Sequence, residues 1–160
     1  MKYKIEKANV FDVPNIYNLV NKFAKKNLML PRVINDIYER LQEFFVARVS
    51  KKNTVVGCVS LHITWTGKKD EVLAEIRSLA VEKKYQNKGI GTELVKKLEV
   101  EAKKLGVKKI FALTYIPGFF HKLGYETISR DALPHKVWTE CINCPYFMNC
   151  KEVPVIKLLK

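Results

Sequence analysis

A glycine-containing segment between a long strand and a long amphipathic helix constrains the fold of this chain more than any other feature. The strand is predicted over residues 71–81 by its pattern of apolar side chains, and the helix over residues 89–105, which Gly106 would end. Between them lies Gln86-Asn87-Lys88-Gly89-Ile90-Gly91. A helix N-terminus offers unpaired backbone N–H groups with partial positive charge, and glycine lets a ligand approach the backbone closely. The segment therefore predicts a phosphate-binding loop.

Two better-known phosphate-binding loops fit this segment less well. A Walker A loop requires Gly-Lys-Ser/Thr, whereas Gly91 is followed here by Thr92 and Glu93. A dinucleotide-binding fingerprint requires three glycines directly after a strand, whereas only two glycines fit here and they lie past mid-chain. The simpler structural alternative is a glycine-rich turn that only opens a helix, and it would be preferred if no other segment supported a ligand site.

The remaining segments alternate between strand and helix patterns, which predicts a mixed α/β chain with one domain over residues 1–160. Asp12 is the expected N-cap of the first helix, with Pro14 in its first turn. The tail, residues 133–160, differs in composition because it is rich in cysteine and ends in an apolar stretch at 153–159. Further strands are predicted over residues 2–8, 44–50, 54–65, 107–113 and 125–129, and shorter helices over residues 33–41 and 119–123.

The composition argues against some classes of protein. The net charge of +13 comes from 29 basic residues, of which only five are arginine. Such a surplus attracts anions, but it is also typical of a solvated, lysine-rich surface. Nucleic-acid sites cluster basic and aromatic residues, whereas these lysines are spread along the chain in pairs, so no nucleic-acid partner is expected. No apolar run approaches a membrane span and the first residues contain no apolar signal segment, so we expect a cytoplasmic protein.

Three segments together resemble the GNAT acetyltransferase superfamily. Residues 86–91 match its Gln/Arg-x-x-Gly-x-Gly/Ala signature at every fixed position, and residues 79–85 match the preceding run, with Lys84 where proline is frequent. Residues 119–125 resemble its Phe-Tyr-x-Lys-x-Gly-Phe segment, and all three segments occur in the family's order and spacing. The resemblance implies an α/β fold in which helices flank a mixed, mostly antiparallel central sheet. It also implies acetyl-CoA as the cosubstrate.

The same resemblance implies where acetyl-CoA binds. Backbone N–H groups of residues 86–91 would bind the pyrophosphate of coenzyme A, and the backbone of Leu79 and Val81 would pair with the pantetheine arm. The cofactor-binding residues implied in this way are Leu79, Ala80, Val81, Gln86, Asn87, Lys88, Gly89, Ile90, Gly91 and Thr92.

Acetyl transfer to an amine requires a neutral amine and a proton for the departing thiolate, so the site needs a base and an acid. Alternation along the long strand places Glu75 and Arg77 on one face. Glu75 is predicted to accept the amine proton and Arg77 to bind an acidic substrate, and a mutual salt bridge is the structural alternative. The family often uses a tyrosine as the acid where this chain has Phe120, which cannot donate a proton. Thr114 and Tyr115 are the substitute candidates for the acid. The alternative is that each is an ordinary residue at the end of a strand.

The long strand, the segment around Arg32 and the tail resemble N-acetylglutamate synthases, which are amino-acid N-acetyltransferases of arginine biosynthesis. In that family an arginine at the position of Arg32 helps to hold a glutamate carboxylate, and guanidinium groups match carboxylates geometrically. The resemblance therefore implies transfer to the α-amine of L-glutamate, with Arg32, Arg77 and Lys136 as substrate-binding candidates. Val33 departs from the family, since many synthases have serine after that arginine.

Two other functions stay open from the sequence alone. One is acetylation of a different amine, such as a protein N-terminus or a polyamine, although the positive charge disfavours a cationic acceptor. The other is a non-catalytic module that binds nucleic acid through its basic, cysteine-rich tail. Many members of the family dimerise, so a homodimer is a further expectation, although no segment of the chain specifies an interface.

The tail contains a candidate zinc site formed by His135, Cys141, Cys144 and Cys150. The Cys-x2-Cys spacing suits zinc, and in a cytosolic chain it favours a metal over a disulfide. The alternative is that these cysteines are free thiols in a lid over the substrate, as the resemblance to the short synthases suggests. Cys58 lies in a predicted strand and is expected to be a core residue.

Overall fold

The computed structural model describes residues 1–133 and 150–160, and the predicted mixture of strands and helices is confirmed. Within these residues, no helix is both long and apolar enough to cross a membrane. The strands are β1 (Tyr3–Lys7), β2 (Phe44–Val49), β3 (Thr54–Trp65), β4 (Val72–Val81), β5 (Lys109–Thr114), β6 (Glu126–Thr127) and β7 (Val153–Leu158). The α-helices are α1 (Val13–Ala24), α2 (Ile34–Glu39), α3 (Ile90–Lys104) and α4 (Pro117–His121).

The strands form one mixed sheet in the order β1-β2-β3-β4-β5-β7-β6. β1 pairs with β2 and β2 pairs with β3 in antiparallel register. β7, the last strand in the chain, lies between β5 and β6 and pairs antiparallel with both. The sheet and its flanking helices confirm the predicted fold class.

By compactness the chain divides into two units. Unit 1 contains Met1–Leu61 and Ile76–Val100, and unit 2 contains His62–Glu75 and Glu101–Lys160. The assignment of all 160 residues to a single domain stays a prediction.

The core of unit 1 is built from the apolar face of α1 and the strands that it covers. Val13, Ile16 and Val20 follow the helical period and are fully buried together with Ile37 of α2. Each such side chain contributes about 1.5–3 kcal/mol when it leaves water. The remaining buried members of this cluster are Leu19, Phe44, Val46, Cys58 and Ala80.

The core of unit 2 contains Leu73, Phe111 and Leu133. β7 pairs with β5 along its whole length, from Lys109 opposite Leu158 to Thr114 opposite Val153. The sequence pattern marked this last segment as apolar, and the pairing with β5 explains why it is apolar.

Two predictions about local structure need correction. Asp12 is the N-cap residue of α1 as expected, but its side chain makes no capping hydrogen bond to that helix. Its carboxylate instead accepts hydrogen bonds from Arg48 Nη2 at 2.7 Å and from the backbone N of Asn9 at 3.0 Å, because the buried guanidinium requires a counter-ion. The strand expected over residues 125–129 extends only over Glu126–Thr127, which pair with β7.

Candidate active site

Residues 86–91 form the connection that leads into α3, and most of them are exposed. Asn87 and Gly89 adopt left-handed backbone conformations, with φ of 58° and 84°. A Cβ built on Gly89 would meet no atom of the described residues within 4 Å, so the space beside this backbone is open. The first α-helical hydrogen bond runs from Glu93 N to Gly89 O at 3.0 Å, so the N–H groups before Glu93 lack intrahelical acceptors. This geometry fits a ligand phosphate.

Contacts on the protein side hold the loop in place. The Nε2 atom of Gln86 donates to the carbonyl of Val81 at 2.9 Å, which ties the loop to the end of β4. Ile90 and Ala80 are buried in unit 1, whereas Leu79 and Val81 are half-buried. Of the predicted cofactor-binding residues, Ala80 and Ile90 can therefore offer only backbone groups, and the Gln86 side chain is already engaged.

A glycine of β3 allows α3 to approach the sheet of unit 1. A Cβ built on Gly57 would lie 3.2 Å from Leu94 Cδ1, 3.3 Å from Ile90 Cγ2 and 3.3 Å from the carbonyl oxygen of Ala80. Any larger residue would push against the first turns of α3 or the backbone of β4. Gly57 thus sets the position of the helix N-terminus beside the loop.

Positive charge lies next to the same loop. The Nζ atoms of Lys84 and Lys88 lie 5.1 Å and 5.6 Å from the centre of the Tyr85 ring, within the range of cation–π attraction. Both lysines are exposed, so their charges are available to an anion. Together with the partial charge of the helix N-terminus, they favour a phosphate-bearing ligand.

β4 is distorted at Ser78, whose φ of 53° is left-handed. The regular alternation of the strand is therefore interrupted at Ser78, because a left-handed residue is not extended. Side chains of β3 reach the carbonyls at this point: Ser60 Oγ donates to Arg77 O at 3.2 Å, and Cys58 Sγ donates to Ser78 O at 3.4 Å. Burial raises the pKa of the Cys58 thiol to about 12, which suits a core residue and not a nucleophile.

Arg32 is held beside this distortion with only 12% of its side chain exposed. Its Nε and Nη2 atoms lie 2.8 Å and 2.7 Å from Asp36 Oδ2, and its Nη1 atom donates to Ser78 Oγ at 3.2 Å. The guanidinium carbon lies 5.3 Å from the centre of the Phe44 ring. Arg32 is therefore not a solvated cation of an exposed loop. Arg77 is half-buried in β4.

The acid–base candidates belong to unit 2. Glu75 and Thr114 are buried, with 6% and 7% of their surfaces exposed, and Tyr115 is half-buried. The Oγ1 atom of Thr114 accepts a hydrogen bond from the backbone N of Ile116 at 2.9 Å. Its O–H group can still donate.

Phe120, which replaces the tyrosine common in the resembled family, is a core residue of unit 2 with 2% exposure. Its ring packs edge-on against Phe119 and Tyr125, with centroid distances of 5.1 Å and 5.2 Å. This aromatic packing explains why an apolar ring occupies the position. A phenyl ring has no proton to donate.

Glu152 is a half-buried carboxyl group near the candidate base Glu75, and the sequence did not indicate it. It precedes β7, and the pairing of Val153 with Thr114 brings it to the end of β5. Burial and, to a smaller extent, the negative charge of Glu75 raise the pKa of the Glu152 carboxyl to about 7, although the positive charge of Arg130 acts in the opposite direction. A lone glutamate between a cysteine-rich and an apolar stretch carries no pattern, so only the pairing of β7 reveals its proximity to Glu75.

Four predicted site residues lie outside the described residues, namely His135, Lys136, Cys141 and Cys144. Cys150, the remaining predicted zinc ligand, is a half-buried free thiol. Within residues 1–133 and 150–160, no three His, Cys, Asp or Glu side chains are grouped to hold a metal. The zinc site therefore stays a prediction.

Comparison with known sequences shows extended similarity to acetyltransferases. The model of the acetyltransferase (GNAT) family matches residues 13–125, which include β4, the loop and Arg32. An uncharacterised N-acetyltransferase of Chlorobaculum tepidum is 39% identical over 155 residues, which cover 97% of this chain and 96% of that protein. An amino-acid acetyltransferase of Mycobacterium tuberculosis is 34% identical over 137 residues, which cover 85% of this chain and 75% of that protein.

Comparison with solved structures shows the same fold. The N-acetylglutamate synthase of Neisseria gonorrhoeae, complexed with coenzyme A and N-acetyl-glutamate, has a TM-score of 0.87 at 23% identity, and the match covers all of this chain but 36% of that one. At this identity the match establishes the fold alone. Rv2747 of Mycobacterium tuberculosis, solved in complex with CoA, has a TM-score of 0.80 at 28% identity, and the match covers 98% of this chain and 99% of that one.

Proposed function

The chain belongs to the GNAT acetyltransferase family and uses acetyl-CoA, and from this premise we propose that it acetylates the α-amine of an amino acid, with L-glutamate as the acceptor. The observation that carries this proposal is the placement of Arg32, a mostly buried guanidinium at the distorted point of β4. The amino-acid acetyltransferase of Mycobacterium tuberculosis supports the same class of acceptor.

The cosubstrate is proposed to bind through the loop and β4. Backbone N–H groups of residues 87–91 and Thr92 would donate to the pyrophosphate, since the loop is open on that side and the helix N-terminus adds positive potential. The N–H of Gln86 is already bound to Lys83 O at 3.2 Å. Leu79 and Val81 would pair with the pantetheine arm through their backbone groups. Acetyl-CoA supplies the acetyl group as an activated thioester.

Proton transfer is proposed to depend on unit 2. Glu75 would accept the proton that the acceptor ammonium must lose, because only a neutral amine is nucleophilic. Thr114 or Tyr115 would donate a proton to the departing thiolate in place of the tyrosine that Phe120 replaces. The Thr114 oxygen accepts from Ile116 N, so its O–H group is still able to donate, which supports this role.

The acceptor carboxylate is proposed to bind Arg32. A guanidinium has five N–H groups, of which the contacts with Asp36 and Ser78 use one each on Nε, Nη2 and Nη1. One N–H on Nη1 and one on Nη2 are not accounted for by these contacts, and such a pair matches the two oxygens of a carboxylate. Arg77 and Lys136 are proposed as further cations for a dicarboxylate acceptor.

The test is thiol release from acetyl-CoA by the purified protein across a panel of amino acids, polyamines and peptides. We expect turnover with L-glutamate, and we expect Arg32→Ala to raise the KM for glutamate by at least about tenfold while the KM for acetyl-CoA stays unchanged. Lys26→Ala is the control, because Lys26 is an exposed cation in the same connection between α1 and α2.

The alternatives are outcomes of the same assay. Turnover with an amine that has no carboxylate, and none with amino acids, would retain the acetyltransferase activity and refute the proposed acceptor. An Arg32→Ala variant with unchanged kinetics would refute the carboxylate-binding role. Turnover with a different amino acid, and none with glutamate, would support amino-acid acetylation and refute glutamate as the acceptor.

A further inference from the structure

Arg32 lies in the connection between α1 and α2, where helical hydrogen bonds do not hold its backbone. The side-chain amide of Asn21, on α1, supplies that constraint. Asn21 Oδ1 accepts from the backbone N of Arg32 at 3.1 Å, and Asn21 Nδ2 donates to the backbone O of Arg32 at 3.0 Å. Nδ2 also donates to the carbonyl of Tyr17 at 2.9 Å, which fixes the amide to its own helix. Both backbone polar groups of Arg32 are therefore bound by a single side chain.

Asp36, in the first turn of α2, constrains the other end of Arg32. Its Oδ2 atom receives both Nε and Nη2, whereas its Oδ1 atom accepts from Arg40 Nε at 3.0 Å. Arg40 in turn contacts Glu43 at 3.2 Å. With both oxygens occupied, the carboxylate cannot rotate without breaking a charge-assisted hydrogen bond. The plane of the Arg32 guanidinium is thereby fixed.

The direction of the remaining N–H groups follows from these contacts. Asp36 occupies the Nε side of the guanidinium, and Ser78 Oγ receives one N–H of Nη1. One N–H of Nη1 and one N–H of Nη2 are left for a ligand. A long arginine side chain loses rotamer entropy when it is immobilised, and here the contacts with Asp36 and Ser78 immobilise it before a ligand binds.

We propose that Asn21 and Asp36 are positioning residues for acceptor binding: they hold Arg32 from its two ends so that its guanidinium fork is oriented for the acceptor carboxylate. This inference rests on the proposed function, because it assumes that Arg32 binds a carboxylate. It goes beyond that function because it assigns acceptor affinity to two residues that need not touch the acceptor.

The test compares Asp36→Asn, Asp36→Glu and Asn21→Ala with the wild type and with Asn35→Ala, a control on the exposed side of α2. We expect Asp36→Asn to raise the KM for the carboxylate-bearing acceptor by about tenfold, with kcat within about twofold and an unchanged KM for acetyl-CoA. Asp36→Glu restores part of the affinity. In the Arg32→Ala background, Asp36→Asn has no further effect, because the group that it orients is gone.

A second measurement keeps the inference independent of turnover. In nitrogen-15-labelled protein, the Arg32 Nε–H signal is expected to exchange slowly with water in the wild type and rapidly in Asp36→Asn. If no amino acid is acetylated but this difference persists, the proposed acceptor fails and the positioning stands. If the wild type acetylates an amino acid and Asp36→Asn and Asn21→Ala leave its KM unchanged, the positioning inference is overturned.

Discussion

At the scale of single residues, Arg48 carries a positive charge that is buried in unit 1, with 7% of its surface exposed. Its Nη2 atom donates to Asp12 at 2.7 Å and its Nε atom donates to Glu6 at 2.7 Å. The Asp12 carboxylate is 2% exposed, so removal of Arg48 would leave it buried without its counter-ion. We expect Arg48→Ala to lower the free energy of unfolding by about 3–5 kcal/mol, measured by urea denaturation.

Glu6→Gln is the matched variant for this ion cluster. Glu6 is 36% exposed, and its hydrogen bond to Arg48 lowers the pKa of its carboxyl. Loss of its charge leaves Arg48 paired with Asp12, so the expected cost is about 1 kcal/mol or less. If Arg48→Ala and Glu6→Gln lower the free energy of unfolding equally, the Arg48–Asp12 pair is not the main contributor to the stability of this cluster.

Residues that carry a recognisable chemistry could be predicted from the sequence, whereas their supporting contacts could not. Arg32 could be named as a candidate because arginine is rare in this chain and the family resemblance covers its apolar loop. Asn21 and Asp36 are ordinary helical residues in sequence, and only the fold brings their side chains to Arg32. Glu152 is unpredictable for the same reason, since its relation to Glu75 depends on a strand pairing between distant segments.

At the scale of elements, the approach of α3 to β3 depends on a glycine. Gly57→Ala would place a methyl group within 3.2–3.3 Å of Leu94, Ile90 and the carbonyl of Ala80, and the backbone carbonyl has little freedom to move. We expect a loss of about 1–3 kcal/mol in the free energy of unfolding. Because α3 begins beside the proposed phosphate-binding loop, we also expect a higher KM for acetyl-CoA, measured by thiol release.

Gly118→Ala is the control for that substitution. A Cβ built on Gly118 in α4 meets no described atom within 4 Å, so alanine should change the stability by about 0.5 kcal/mol or less. If Gly57→Ala is as stable as the wild type and binds acetyl-CoA equally well, the close approach does not position the helix.

The elements themselves were predictable to the extent that they follow a regular period. α1 and α3 show the helical spacing of apolar residues, and β4 shows a continuous strand pattern, so their existence and approximate bounds are confirmed. The left-handed Ser78 was not predictable, because serine has no preference for that conformation and β3 side chains stabilise it through the carbonyls of residues 77 and 78. β6 is short because its two residues only extend the edge beside β7.

At the scale of the whole molecule, the fold class followed from the loop and its neighbouring segments, but the order of the strands did not. The seventh strand lies between the fifth and the sixth, and such non-local pairing leaves no period in the sequence. The family model matches residues 13–125, so β7 lies beyond the part of the chain that the family signature describes. At this scale the composition bears on function mainly through the net charge.

The net charge of +13 raises the question of whether acetyl-CoA is attracted by the whole surface or by the charges at the loop. We expect the charges at the loop to dominate, because salt screens charges that lie farther from the ligand than the Debye length, which is about 8 Å at physiological ionic strength. Lys84 and Lys88 contact the Tyr85 ring at the proposed phosphate-binding loop, whereas Lys51 and Lys52 lie in the exposed turn between β2 and β3. The two pairs carry the same charge, so they separate local from global attraction.

We expect the double substitution of Lys84 and Lys88 by Gln to raise the KM for acetyl-CoA about three- to tenfold at low salt and to weaken its dependence on salt. The same substitution of Lys51 and Lys52 should change the KM by less than about twofold, because their charges are screened from the ligand. The measurement is the KM for acetyl-CoA between low and high sodium chloride at a saturating acceptor concentration. Equal effects of the two pairs would show that the net charge attracts the cosubstrate and would refute the local role of the lysines beside Tyr85.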